Sequence, residues 1–182
     1  ITITDVPTGA TLSAGTDNGD GTWTLDVGDL DGLTVTPPAD SDVDFDLSVT
    51  VTTTEANGGD TSTVTGSIAV DVTGDADTPT LTMNAASGDE DTSIDLDITS
   101  ALTDTDGSAT LSVTISDIPD GAVLMSGGQE ITVTNGVAEI DPGQLGDLSI
   151  TPPEDYNGSF DLTVTSTATE ADGDTATTSG TL

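Results

Sequence analysis

The residues able to do chemistry in this chain are almost all of one kind. Among its 182 residues are 34 Asp and Glu, with no Lys, Arg, His or Cys, for a formal charge of -34. Carboxylates together with backbone oxygens make a hard donor set that suits Ca²⁺, whereas zinc, copper and iron sites draw on the His and Cys that are missing here. The densest run, Asp71-Val-Thr-Gly-Asp-Ala-Asp-Thr-Pro79, contributes Asp71, Asp75 and Asp77. Thr103-Asp-Thr-Asp-Gly-Ser108 adds Asp104 and Asp106, alternate side chains that can bend toward one ion while Gly107 permits the tight turn. Thr169-Glu-Ala-Asp-Gly-Asp174 adds Glu170, Asp172 and Asp174, and Asp89-Glu90-Asp91 forms a second-tier cluster. Asp and Gly are also the ordinary residues of exposed turns. Ion binding is favoured over that reading because each close carboxylate pair costs about 1 kcal/mol at 4 Å in water, and several times more in a partly buried loop. No basic side chain exists to offset the cost.

The same composition excludes other chemistries. Ser and Thr abound, but a hydroxyl nucleophile needs a base, and neither His nor Lys is present. Paired carboxylates could cleave glycosides only in a cleft with aromatic platforms, and one Trp, one Tyr and two Phe do not build one, so no enzymatic activity is expected. A field of this sign repels nucleic acid and anionic membrane surfaces. The apolar runs are too short to cross a bilayer, so no direct membrane insertion is expected, and Ile1-Thr-Ile-Thr4 does not read as a signal peptide. Asp17-Asn-Gly-Asp-Gly21 has the start of an EF-hand loop but Gly28 where the closing acid belongs, and reads as a hairpin turn. Asn157-Gly-Ser159 fits the glycosylation pattern and also reads as a turn.

The elements that must position these acids are strands. Apolar residues alternate with Thr, Ser and Asp at Ile1/Ile3, Trp23/Leu25/Val27, Phe45/Leu47/Val49/Val51, Ile94/Leu96/Ile98, Leu111/Val113/Ile115, Ile131/Val133 and Phe160/Leu162/Val164. Each segment ends in Gly, Asn or Pro turn signals, which predicts half-buried antiparallel strands and almost no helix. Phe45, Phe160 and Trp23 are expected in the core.

Two copies of one unit are present. Ile1-Thr-Ile-Thr-Asp-Val-Pro-Thr-Gly-Ala-Thr-Leu12 matches Val113-Thr-Ile-Ser-Asp-Ile-Pro-Asp-Gly-Ala-Val-Leu124, and Leu33-Thr-Val-Thr-Pro-Pro38 matches Leu148-Ser-Ile-Thr-Pro-Pro153. Phe45-Asp-Leu-Ser-Val-Thr50 matches Phe160-Asp-Leu-Thr-Val-Thr165, and Thr54-Glu-Ala-Asn-Gly-Gly-Asp60 matches Thr169-Glu-Ala-Asp-Gly-Asp174. A repeat of about 110 residues suits a sandwich of seven to nine strands. The expected domains are 1–78, a β-sandwich repeat lacking a counterpart of residues 79 to about 112, and 79–182, a second repeat whose last strand is truncated. Following strand direction by parity places the 103–108 and 169–174 loops at the 71–79 junction, and the 87–91 and 116–119 loops at the far end.

The phrases Ile-Pro-Asp-Gly-Ala-Val-Leu124, Gly-Asp-Leu-Ser-Ile-Thr-Pro-Pro-Glu-Asp-Tyr-Asn-Gly-Ser-Phe-Asp-Leu-Thr-Val-Thr165 and Thr-Glu-Ala-Asp-Gly-Asp-Thr-Ala-Thr177 resemble the tandem repeats of giant bacterial surface adhesins of the RTX type, exported by type I secretion. The resemblance covers essentially the whole chain. It implies an all-β fold of tandem immunoglobulin- or cadherin-like antiparallel sandwiches, with Ca²⁺ at repeat junctions stiffening an extender on the extracellular face of a bacterial cell. Such an extender serves cell adhesion and biofilm formation. The implied ligands are Asp71, Asp75, Asp77, Asp104 and Asp106, with Glu170, Asp172 and Asp174 beside them. The implied partners are neighbouring repeats of the same chain, and a host or surface ligand held by other domains. The glycine-rich nonapeptides of the RTX β-roll are absent from this sequence, which limits the resemblance to the extender region. The alternative reading makes one repeat itself a Ca²⁺-dependent sugar- or peptide-binding module, with Trp23 or Tyr156 as its surface aromatic.

Overall fold

Alternating Thr, Val and Ile favour extended backbone, because branched side chains pack well on a pleated surface. In the computed structural model, which describes residues 1–104 and 107–182, these segments form antiparallel sheets throughout. The chain divides into two units, Ile1–Gly74 and Asp75–Leu182. The division falls ahead of the expected boundary after Thr78. Two contacts bind residues 75–78 to the second unit: the Ala76 N–H donates to Asp174 Oδ2 at 3.1 Å, and the Thr103 hydroxyl donates to the Thr78 carbonyl at 3.1 Å.

The first unit contains β1 (Thr2–Thr4), β2 (Thr11–Leu12), β3 (Thr16–Asp17), β4 (Trp23–Thr24), β5 (Val35–Thr36), β6 (Phe45–Thr54) and β7 (Thr61–Val70). One sheet has the order β3-β4-β1-β6-β7, and β2 pairs separately with β5. Its small core is Ile3, Val6, Ala10, Leu12, Leu25 and Leu47, with Trp23, Phe45 and Val70 packed against it. Asn18 and Thr22 close the β3–β4 hairpin at 3.0 Å, so 17–21 is the turn its Gly content suggests.

The second unit is a fuller antiparallel sandwich. Its strands are β8 (Thr80–Met83), β9 (Ile94–Asp95), β10 (Ile98–Ala101), β11 (Thr110–Ser116), β12 (Val123–Ser126), β13 (Gln129–Glu130), β14 (Ala138–Ile140), β15 (Leu148–Thr151), β16 (Thr163–Thr169) and β17 (Thr175–Thr181). One sheet runs β14-β11-β16-β17 and another β13-β12-β15-β9, while β10 pairs with β8. Val113, Ile115 and Val164 of the first sheet face Leu124, Leu148 and Ile150 of the second across a core that excludes water. Helical structure among the described residues is limited to two 3-10 turns, Val27–Leu30 and Pro142–Asp147.

The repeat is preserved in register. Ile3 pairs with Trp23 as Ile115 pairs with Ala138, and Val49 pairs with Gly66 as Val164 pairs with Gly180. Even strained positions recur: Asp5 and Asp117 both have φ 64°, and Asp40 and Asp155 both have φ 57°.

Some expectations require correction. Val27 does not continue a strand but lies exposed on the first 3-10 turn, because Asp29 Oδ2 accepts the Asp26 N–H at 2.8 Å and curls the chain there. The single strand expected from the Ile94/Leu96/Ile98 alternation is split: β9 pairs with β15 and β10 with β8, so the chain crosses from one strand neighbour to another at Leu96-Asp97. Ile131 is buried without belonging to a strand, its N–H donating to the Leu124 carbonyl at 2.8 Å.

Candidate metal centre

The antiparallel pairing of β11 with β16 sets Thr110 opposite Thr169. Just beyond this pair the chain runs through Ala109 to Ser108 on one side and to Glu170 on the other. The Ser108 hydroxyl donates to Glu170 Oε2 at 2.7 Å and lies 3.4 Å from Asp104 Oδ2, so one hydroxyl bridges two carboxylates. Both acids are removed from solvent, Glu170 to 4% exposure and Asp104 to 8%. Glu170 Oε1 is fully buried with no hydrogen-bond partner among the described residues. A buried carboxylate oxygen left without a donor is costly, and such groups pair with a cation or coordinate a metal.

The hairpin between β16 and β17 holds Glu170 in place. Its N–H donates to the Asp174 carbonyl at 2.9 Å, and the Gly173 N–H returns to the Glu170 carbonyl at 3.0 Å. Gly173 at φ 97° supplies a left-handed position that a side chain would disfavour. Asp172 serves this turn locally, its Oδ1 accepting the Asp174 N–H at 3.0 Å, whereas Asp174 Oδ2 accepts the distant Ala76 N–H.

Asp104 and Glu170 thus meet through Ser108, while Asp174 ties residues 75–78 to the same hairpin. Asp75 and Asp77 lie on that attached segment with exposed side chains. Asp71 is exposed and belongs to the first unit. Asp106 lies outside the described residues. Asp89, Glu90 and Asp91 are exposed elsewhere, with Asp91 Oδ1 accepting the Asp155 N–H at 3.0 Å. No group of three or more acids converges on one point among the described residues. The fit to a cation rests on the Asp104–Glu170 pair, whose donors are of the hard type Ca²⁺ takes, with water able to complete its six to eight oxygens. The bridging role of Ser108 was not anticipated from the sequence, although its place after Asp-Gly was visible there.

A separate groove of about 470 Å³ lies beside Ile94, Leu96, Tyr156, Phe160 and Leu182. Tyr156 meets Phe160 edge-on with centroids 5.7 Å apart, and its hydroxyl donates to the Ser159 carbonyl at 2.9 Å. In the first unit the residue opposite Phe45, the counterpart of Phe160, is Val70.

Comparison with known protein families, curated proteins and solved structures finds no match to the chain. No helix among the described residues is long and apolar enough to cross a membrane.

Proposed function

We propose that the chain is a non-catalytic pair of structural repeats from an extracellular bacterial adhesin, and that Ca²⁺ stiffens it by binding at the Asp104–Glu170 end of the second unit. The supporting observation is the buried, partnerless Oε1 of Glu170, a carboxylate linked to buried Asp104 through Ser108, in a chain with no basic side chain. Asp104 and Glu170 would hold the ion. Its charge would offset their mutual repulsion and that of the acidic segment 75–78, which Asp174 already ties to the unit.

Extracellular calcium modules bind at about 10⁻⁴ to 10⁻³ M. At that affinity the site fills outside the cell and stays empty in the low-calcium cytoplasm before export, so the repeats stiffen only once secreted. The alternative of a sugar- or peptide-binding module has less support, because Trp23 packs on the core and the Tyr156 ring is engaged with Phe160. Small-angle X-ray scattering with Ca²⁺ and with chelator tests the proposal. A longer, more rigid particle in Ca²⁺ supports it, and a shape indifferent to Ca²⁺ contradicts it.

A further inference from the structure

The two units differ most in what covers the inner face of their last two strands. In the second unit the β8–β10 pair lies against β17 and, through Ser100, against β16. The Ser100 and Ser166 hydroxyls meet at 2.5 Å, and the Thr178 hydroxyl donates to the Pro79 carbonyl at 2.7 Å. Gly180 has no side chain, and a Cβ there would collide with the terminal methyl of Met83. That glycine is the seat of Met83.

The first unit repeats the face without a cover. By register, Val51 and Val64 stand where Ser166 and Thr178 stand in the second unit, and Gly66 stands where Gly180 does. Val51 is 40% exposed, Val64 71% and Ile68 54%. A Cβ on Gly66 would meet nothing within 4 Å. Glycine weakens a strand interior and marks places where another group approaches closely. Here the glycine is retained and the approaching group is missing among residues 1–74.

We infer that the β6–β7 face of the first unit is a docking site for a β-hairpin of the Thr80–Ala101 type, seating a long apolar side chain over Gly66. The chemistry of the face refines the occupant. Val51 replaces the hydroxyl that meets Ser100, so the occupant carries an apolar residue at the Ser100 position. A second copy of this chain is a poor source, because its own hairpin already covers β16 and β17, and swapping would uncover one face to cover another. The occupant is therefore an additional hairpin of this sequence type. The inference does not depend on calcium.

The probe is a fluorescent synthetic peptide of residues 78–103, titrated onto the full chain in chelator, with amide exchange followed on β6 and β7. The expected result is saturable one-to-one binding with protection spreading over Val49–Thr53 and Val64–Ile68. A Ser100→Val peptide should bind about tenfold more tightly, as expected when a buried hydroxyl no longer faces an apolar partner. Gly66→Val fills the seat while favouring the strand, so it should abolish binding and leave the fold intact, as should Val64→Asp. If the peptide aggregates, the same hairpin fused ahead of Ile1 through a flexible linker should give the same protection. No binding and no protection by either route would overturn the inference. So would dimerisation of the unliganded chain that Val64→Asp abolishes, which would assign the face to a second copy.

Discussion

Ser108 donates a 2.7 Å hydrogen bond to Glu170 across a sequence separation of 62 residues, and it is the point where the two acidic loops of the second unit are joined. The pairing of Thr110 with Thr169 at the end of β11 and β16 brings the two segments within reach. It gathers negative charge in a buried place, and the remaining oxygen of Glu170 faces no donor among the described residues.

Ser108→Ala removes the hydroxyl that donates to Glu170 and lies near Asp104. In chelator the second unit should lose about 1–3 kcal/mol, the range for a buried acceptor left unsatisfied. Chemical denaturation followed by a probe in the second unit measures it. A ΔΔG near zero would mean that the bridge contributes nothing to the end of the sandwich.

The two units should melt apart, the first at lower temperature. Its buried cluster has 6 residues against 14 in the second, and its inner face is partly bare. Leu124→Ala should cost the second unit about 2–5 kcal/mol, since that side chain is fully enclosed and its removal leaves a cavity. Calorimetry with residue-resolved amide exchange assigns each transition. A single transition, or a first unit that outlasts the second, would contradict this ordering.

Asp117 sits at φ 64°, a left-handed conformation that costs an ordinary residue about 1–2 kcal/mol. Asp117→Val should destabilise the second unit by at least that amount, and Asp117→Gly should be tolerated. Equal losses for both would show that the carboxylate rather than the backbone matters. Asp5 should behave alike in the first unit, where it has the same φ.

The Pro142–Asp147 turn is capped by Asp141, whose Oδ1 accepts the Gly143 N–H at 2.8 Å while Gln144 Oε1 accepts the Asp141 N–H at 3.2 Å. Pro142 presets the first turn, and the cap anchors buried Leu145. Asp141→Ala should cost about 0.5–2 kcal/mol, with Asn largely rescuing it. Failure of Asn to rescue would point to charge instead of hydrogen bonding.

Much of this architecture was legible because strand period and repeat phrases act at short range. The alternation at Leu111/Val113/Ile115 identified β11, and the phrase match of Ile3 to Ile115 carried over into an identical pairing register. Val27 was misread because alternation alone cannot see the Asp26–Asp29 contact that curls the chain. The break at Leu96-Asp97 was hidden for a related reason. Both halves keep the strand period while their hydrogen-bonding neighbour changes, and that choice is made by tertiary pairing. At the candidate site, the convergence of the 103–108 and 169–174 loops followed from strand direction. Which acids would be buried did not: Asp172 and Asp174 look equivalent to Glu170 in sequence, yet Asp172 takes a backbone N–H of its own turn, Asp174 takes that of Ala76, and Glu170 alone of the three is enclosed. Two of the left-handed Asp residues, Asp5 and Asp117, carried a signal in the recurrent Asp-x-Pro-x-Gly phrase, which reads equally well as turn or ligand chemistry.

The most direct test of the calcium claim is thermal unfolding of the second unit in the intact chain, with excess Ca²⁺ and with chelator, for the native sequence and for Glu170→Gln. Ca²⁺ at about one hundred times its Kd should stabilise the native unit by about 2.7 kcal/mol. For a domain of this size that is a rise in Tm of roughly 10 °C or more. Glu170→Gln should raise Tm in chelator by relieving the repulsion with Asp104, and should lose most of the calcium response. A Tm that Ca²⁺ leaves unchanged, or one that rises equally in both proteins, would contradict a site at Asp104 and Glu170.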